Sequence, residues 1–148
     1  MFEFLLYLNS SSTDIYNLVS RTHTYYENSY MCKKHPNYFG LTNSNDNSVH
    51  ICTDTIKKYV PTMYRYYLNE TIIHEAVHVA QDCKSPHLGH YEPFNIDPKT
   101  MQLNESRRGS LSRSMNVDNP IMNKIEHEAF WLEDKPHIVK YVLKKYCM

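Results

Sequence analysis

Apolar residues recur three and four positions apart over a long central segment of the chain. They are Tyr66, Leu68, Ile72, Ile73, Ala76, Val77 and Ala80. This period is typical of an α-helix, and the segment lies between Pro61 and Pro86, residues that interrupt helices. The sequence therefore predicts one long helix from Thr62 to about Lys84.

The N-terminal part predicts a strand followed by a helix. Met1–Leu8 is a short apolar run interrupted only by Glu3. We expect a buried strand here rather than a secretory signal, because the run is short and lacks a basic start. Residues Ser10–Asp14 are good N-caps, and the apolar positions after them predict a helix to about Glu27.

One more strand and two loops are predicted in the middle of the chain. Ser48–Thr53 alternates and contains β-branched residues, which favours a strand. The proline, glycine and asparagine content of residues 33–47 favours a loop. Residues 85–119 have only weak periodicity, and a loop of that length commonly covers a functional site.

Two helices are predicted near the C-terminus. Pro120 suits a first helical turn with Asn119 as its cap, and the apolar stripe continues to Leu132. Pro136 breaks the stripe, and a final amphipathic helix follows. Together the elements predict an α+β fold, a single domain over residues 1–148, with a short mixed sheet packed beside the long central helix.

Composition narrows the function classes. The 148 residues include 16 basic and 16 acidic side chains, so no overall positive charge favours nucleic acid as a partner. No run of about 18 apolar residues predicts a membrane-spanning helix. A chain of this length has room for one core.

The four cysteines, Cys32, Cys52, Cys83 and Cys147, form no C-x-x-C pair. This spacing argues against a structural zinc knuckle. Because no signal peptide is evident, we expect reduced cysteines and a cytoplasmic protein.

The candidate metal-binding and catalytic residues lie at the centre of the predicted long helix, in the sequence His74-Glu75-Ala76-Val77-His78. Residues four apart share one helix face, so the two imidazoles can converge on one metal ion. Glu75 projects about 100° away, where it suits a general base acting on a water molecule held by that metal. The alternative is two surface histidines on an amphipathic helix.

A catalytic zinc site needs a third protein ligand. Gln81 and Lys84 occupy the positions where a metzincin has glycine and histidine, which excludes that class. Glu126, in the later predicted helix, is the favoured ligand. Glu128 points roughly 160° away from Glu126 on a regular helix, so it either orients a ligand histidine or is solvated.

These residues resemble the zincin metallopeptidases, and among them the small gluzincin-like peptidases, whose pattern is H-E-x-x-H followed by E-x-x-A or E-x-E-A. The resemblance implies a zincin-like domain in which His74, His78 and Glu126 bind Zn²⁺ and Glu75 is the base. It also implies peptide-bond hydrolysis, with a peptide or protein as substrate. Ser48–Thr53 would then be the sheet edge that pairs with the extended substrate.

The helix from His74 to Lys84 is also similar to that of the mitochondrial inner-membrane peptidases that mature an ATP synthase subunit. In that pattern Gln81 replaces an aspartate, whereas Asp82, Cys83 and Lys84 fit. Three alternatives stay open: a non-catalytic zinc-binding or regulatory module, a peptidase for one protein as in ImmA/IrrE-type proteins, and a hydrolase of another bond.

Other residues are weaker candidates for a role in the site. Asp82 is either a partner of a ligand histidine or an exposed helix-end carboxylate. His87, His90 and Tyr91 could donate to an oxyanion, although a solvated loop is favoured. The arginines Arg107, Arg108 and Arg113 either hold an anionic group or are solvated.

Overall fold

A computed structural model describes all residues, 1–148, and shows an α+β chain with a three-stranded mixed sheet and seven α-helices. The strands are β1 (Thr24–Glu27), β2 (Gly40–Asn43) and β3 (Ser48–Ile51). The helices are α1 (Ser10–Val19), α2 (Tyr30–Lys34), α3 (Thr53–Tyr59), α4 (Tyr64–Lys84), α5 (Glu105–Ser114), α6 (Pro120–Leu132) and α7 (Pro136–Cys147). Two short 3₁₀ helices span Glu3–Tyr7 and Pro61–Met63.

The sheet has the order β1-β3-β2, with β1 parallel and β2 antiparallel to β3. The predicted strand at Ser48–Thr53 is confirmed as β3, Ser48–Ile51. Its predicted place at the sheet edge is wrong, because β3 is paired on both sides. The edge strand that reaches α4 is β2, where Thr42 lies opposite Val49 and hydrogen-bonds to Glu75 of α4.

The long helix α4 is confirmed, beginning at Tyr64 and ending at Lys84. It is the central element of the fold, because α1, α6, α7 and β2 all pack against it. Its apolar side chains, among them Leu68, Ile72, Ala76 and Val77, are fully buried in the core. Its motif residues therefore lie on a rigid element that neighbours fix from several sides.

The N-terminal predictions are wrong in two respects. Residues Glu3–Tyr7 form a 3₁₀ helix rather than a strand, and only Phe4 of this segment is buried. The predicted helix to Glu27 ends at Val19, and Thr24–Glu27 instead pairs with β3 as β1. Local spacing favoured a longer helix, but parallel pairing satisfies the backbone of this tyrosine-rich segment and buries Tyr25.

The two predicted loops contain regular structure. Residues 33–47 include the end of α2 and all of β2, and residues 85–119 include α5. The two C-terminal helices are confirmed, and the Asn119 side chain accepts a hydrogen bond from the Met122 backbone N–H, as a cap does.

The prediction of reduced cysteines is wrong. Cys32 is bonded to Cys52, and Cys83 is bonded to Cys147. Partners 20 and 64 positions apart are brought together only by the fold, so sequence spacing did not reveal them. The cytoplasmic prediction rested on the absence of an evident signal peptide, and it gains no support from the structure, because disulfides are rare in cytosolic proteins.

No helix of the structure combines the length and the apolar character needed to cross a membrane.

Candidate metal centre

Three of the predicted site residues meet between α4 and α6. His78 Nε2 lies 2.8 Å from Glu126 Oε1, and His74 Nε2 lies 3.7 Å from Glu126 Oε2. One ligand atom from each residue falls within 4.8 Å of the other two. The helix α4 supplies the two imidazoles from adjacent turns, and α6 crosses it to supply the carboxylate.

Each histidine is held at its other ring nitrogen by an acceptor. His74 Nδ1 lies 3.0 Å from a carboxylate oxygen of Glu133, and His78 Nδ1 lies 2.8 Å from the amide oxygen of Gln81. An acceptor at Nδ1 requires the proton there, which leaves the Nε2 lone pair free. Both lone pairs then point toward Glu126. This is the tautomer and orientation that metal-binding histidines adopt.

Two lone pairs and a carboxylate converging on one point need a positive charge between them, either protons or a cation. In the metal-free chain protons fill this role. Burial lowers the pKa of His74, but hydrogen bonds and charges from Glu126 and Glu133 outweigh it and hold the pKa well above its usual value. For His78, burial is likewise outweighed by Glu126, so its pKa is raised.

The pKa of Glu126 responds in the opposite direction. Burial alone would raise it, but the charges and hydrogen bonds of His78 and His74 hold it well below the usual value. A carboxylate that stays ionised beside two imidazoles is a suitable hard ligand for a divalent cation. Two nitrogen donors and one oxygen donor, all within 4.8 Å of one another, fit the donor set of a catalytic zinc site.

Glu75 is held beside the three residues by the sheet. Its carboxylate Oε1 accepts a hydrogen bond of 2.9 Å from the Thr42 hydroxyl of β2. The close approach of β2 to α4 depends on Gly40, because a Cβ there would lie 2.8 Å from Thr71 Cγ2 and 3.1 Å from Glu75 Cγ. Glu75 is not part of the three-residue cluster, and its role as a base stays a prediction.

Glu128 is not part of the cluster, and it is not solvated, because its side chain is fully buried. It accepts hydrogen bonds from the backbone N–H groups of Phe94 and Ile96, at 2.9 and 3.2 Å. It also accepts one of 3.0 Å from Gln81 Nε2. Gln81 in turn holds His78, so Glu128 orients a cluster histidine through an intervening amide.

Arg107 is neither solvated nor free to hold a ligand. Its guanidinium pairs with Glu133 at 2.8 Å and Glu70 at 2.7 Å, and reaches Asp134 at 3.4 Å. This ion-pair network joins α5 to α4 and to the end of α6. It also fixes the Glu133 carboxylate that holds His74.

Both predictions for Asp82 are wrong, because this residue is buried and lies 2.7 Å from His23 Nε2. His87 and His90 are exposed, as favoured. Tyr91 is half-buried; its ring centroid lies 5.9 Å from that of His78, and its hydroxyl donates to the Thr42 carbonyl. Burial raises the pKa of Tyr91, so the phenol remains a hydrogen-bond donor.

Sequence reasoning missed Glu133, the positioning role of Gln81 and the ion pairs of Arg107. The role of Gln81 could have been predicted from the sequence, because Gln81 lies three positions after His78 and shares its helix face. Glu133 was harder to find, since it lies beyond Leu132, the last residue of α6, and contacts a histidine 59 positions earlier.

A family model described as "Domain of unknown function (DUF8637)" matches residues 4–148. Comparisons with curated proteins and with solved structures found no match.

Proposed function

We propose that this chain, which belongs to the DUF8637 family, is a zinc-dependent peptidase on a zincin-like scaffold. The observation that carries the proposal is the pair of histidines whose Nδ1 atoms are held by acceptors while both Nε2 atoms face one carboxylate. His74, His78 and Glu126 would hold the ion. The remaining position would be open to water and substrate.

Zinc held there supplies a Lewis acid and lowers the pKa of water to about 7. The chain supplies the base. Glu75 lies one residue after His74 on α4, so its carboxylate would lie beside a bound ion without serving as a ligand. The Thr42 hydroxyl engages one of its oxygens, which leaves the other to accept the proton of the attacking water and pass it to the leaving amine.

The substrate would bind along β2, in place of the β3 edge that the sequence predicted. β2 is the outer strand of the sheet next to Glu75. An extended peptide can add to such an edge through backbone hydrogen bonds, which give affinity with little side-chain selection. A peptide bound in this way would have a peptide bond between the edge and the three ligand residues.

The decisive variant is Glu75→Gln. It should bind one zinc ion with an affinity within about threefold of the parent, because no ligand atom changes. Hydrolysis of a random peptide mixture, followed by mass spectrometry, should fall by at least about 100-fold, since the general base is lost. The exposed residue Glu105 provides the matched control, Glu105→Gln, which should retain full turnover.

Two results would count against the proposal. Turnover retained in Glu75→Gln would remove the base from the mechanism. Full zinc occupancy in the parent without cleavage of any peptide or protein would instead favour a non-catalytic zinc-binding module.

A further inference from the structure

The backbone pattern of the sheet defines which groups of β2 are free. The Cys52 N–H donates to the Phe39 carbonyl at 2.8 Å, so this pair faces inward across the β2–β3 ladder. Backbone direction alternates along an antiparallel strand. The groups of Gly40 and Thr42 therefore point away from β3, toward the open edge.

One of these open-edge groups is already occupied by a side chain. The Tyr91 hydroxyl donates a hydrogen bond of 2.9 Å to the Thr42 carbonyl. The same threonine holds Glu75 through its own hydroxyl. The Tyr91 ring also lies beside His78, so this phenol stands between the sheet edge and the cluster.

The segment that carries Tyr91 is anchored by backbone hydrogen bonds. The Glu92 N–H donates to the Gln81 carbonyl at 3.0 Å, and the Phe94 N–H donates to Glu128 at 2.9 Å. These contacts fix the main chain on α4 and α6. The phenol itself reaches the sheet edge through its hydrogen bond to the Thr42 carbonyl, with Ser44 beside it. Rotation of this side chain alone would free the carbonyl while the backbone stays in place.

We propose that Tyr91 acts as a latch: its phenol blocks the open edge of β2 until a substrate displaces it. It occupies the carbonyl that an added strand needs, and a backbone N–H of an extended peptide replaces the phenol when the peptide binds. Compact or poorly extended ligands cannot make this exchange. The latch therefore selects for extended polypeptide segments. This proposal rests on the proposed function, because β2 is the edge along which a substrate would reach the zinc site.

The test measures binding rather than turnover. The zinc-loaded Glu75→Gln chain is titrated calorimetrically with the tightest binder from a tripeptide-hydroxamate library. Adding Tyr91→Phe should tighten binding roughly two- to tenfold, because one hydrogen bond no longer has to be broken. Tyr141→Phe, at an exposed tyrosine of α7, should change nothing.

An N-methyl scan of the same probe separates the latch from a general loosening of the site. The analogue methylated at the amide that meets Thr42 cannot replace the phenol, so its affinity should be the same with and without the Tyr91→Phe substitution. An unchanged or weaker affinity of the unmethylated probe in Tyr91→Phe would overturn the latch alone. A gain that persists in every methylated analogue would also overturn it. If no member of the library binds either chain, both the latch and the proposed function fail.

Discussion

Two glutamates of α6, only two residues apart, have opposite environments. Glu126 is partly accessible and faces both Nε2 atoms, whereas Glu128 is fully buried and holds two backbone N–H groups and Gln81. Successive helical positions are about 100° apart, so residues two apart face nearly opposite sides. One carboxylate is therefore available to a cation, and the other stabilises the fold.

The isosteric variants Glu126→Gln and Glu128→Gln should separate these roles. Glu126→Gln should weaken zinc binding by more than the roughly 10- to 100-fold that the loss of an outer hydrogen-bond partner costs. Glu128→Gln should keep zinc affinity within about tenfold but lower the free energy of unfolding by roughly 1–3 kcal/mol, because a buried donor loses its acceptor. Zinc titration calorimetry and urea unfolding of the metal-free chains measure both quantities. The reverse ranking would move the ligand role to Glu128.

At the residue scale the sequence predicted the cluster because helix geometry is regular. The four-residue spacing of His74 and His78 places them on one face of any α-helix, and the angle between Glu126 and Glu128 excludes joint binding. The partners of the histidines could not be derived in this way. Glu133 reaches His74 only because α6 crosses α4 and Arg107 fixes its carboxylate.

At the scale of elements, the Cys83–Cys147 disulfide links α4, which carries the two histidines, to α7. Cys83 lies at the end of α4 and Cys147 at the end of α7, and these two helices pack along each other. The bond closes a loop of 64 residues. In the chain-entropy view such a cross-link stabilises the fold by restricting the unfolded state.

Replacing Cys83 and Cys147 together by alanine should lower the free energy of unfolding by roughly 4 kcal/mol. The same change at Cys32 and Cys52, which close a loop of 20 residues, should cost roughly 3 kcal/mol. Guanidinium unfolding under oxidising conditions measures both. Zinc affinity should stay the same, because no cysteine lies in the His74–His78–Glu126 cluster. A chain whose stability is insensitive to thiol reductant would contradict this prediction.

The sequence predicted long elements better than short ones. Helices α4, α6 and α7 each repeat their apolar period over several turns, and proline or asparagine marks their starts. Strands β1 and β2 have four residues each, too few for a period to be distinct. Their identity is decided by pairing with β3, whose residues lie 24 positions from their partners in β1 and 5 to 11 positions from their partners in β2.

At the scale of the whole molecule, a bound cation would cross-link helices α4 and α6. His74 and His78 belong to α4, Glu126 to α6, and Arg107 adds α5 through Glu133 and Glu70. A ligand that binds only the folded state stabilises it by mass action. In the metal-free chain, protons on His74 and His78 provide part of this stabilisation. Changes in pH and in zinc concentration should therefore both change the free energy of unfolding through the same cluster.

The sign of the pH effect follows from the two histidines. Without metal, burial lowers their pKa, but Glu126 and, for His74, Glu133 outweigh it and raise both values above 6.5. The stability from these protonated histidines is complete below pH 6.5 and is lost as pH rises through the raised values. Zinc competes with the same protons, so its apparent affinity should rise over that range.

The thermal midpoint should therefore fall more on EDTA treatment at pH 8 than at pH 6. At pH 8, with free zinc at 1,000 times its dissociation constant, the stabilisation should be about 4 kcal/mol. At pH 6 protonated imidazoles replace part of it. Calorimetric scans with and without EDTA measure the difference, and His78→Asn should abolish the zinc-dependent part, whereas His87→Asn, at an exposed histidine, should retain it. An EDTA effect that is equal at both pH values would show that the two histidines do not titrate with metal binding, and the charge balance inferred for the cluster would then be wrong.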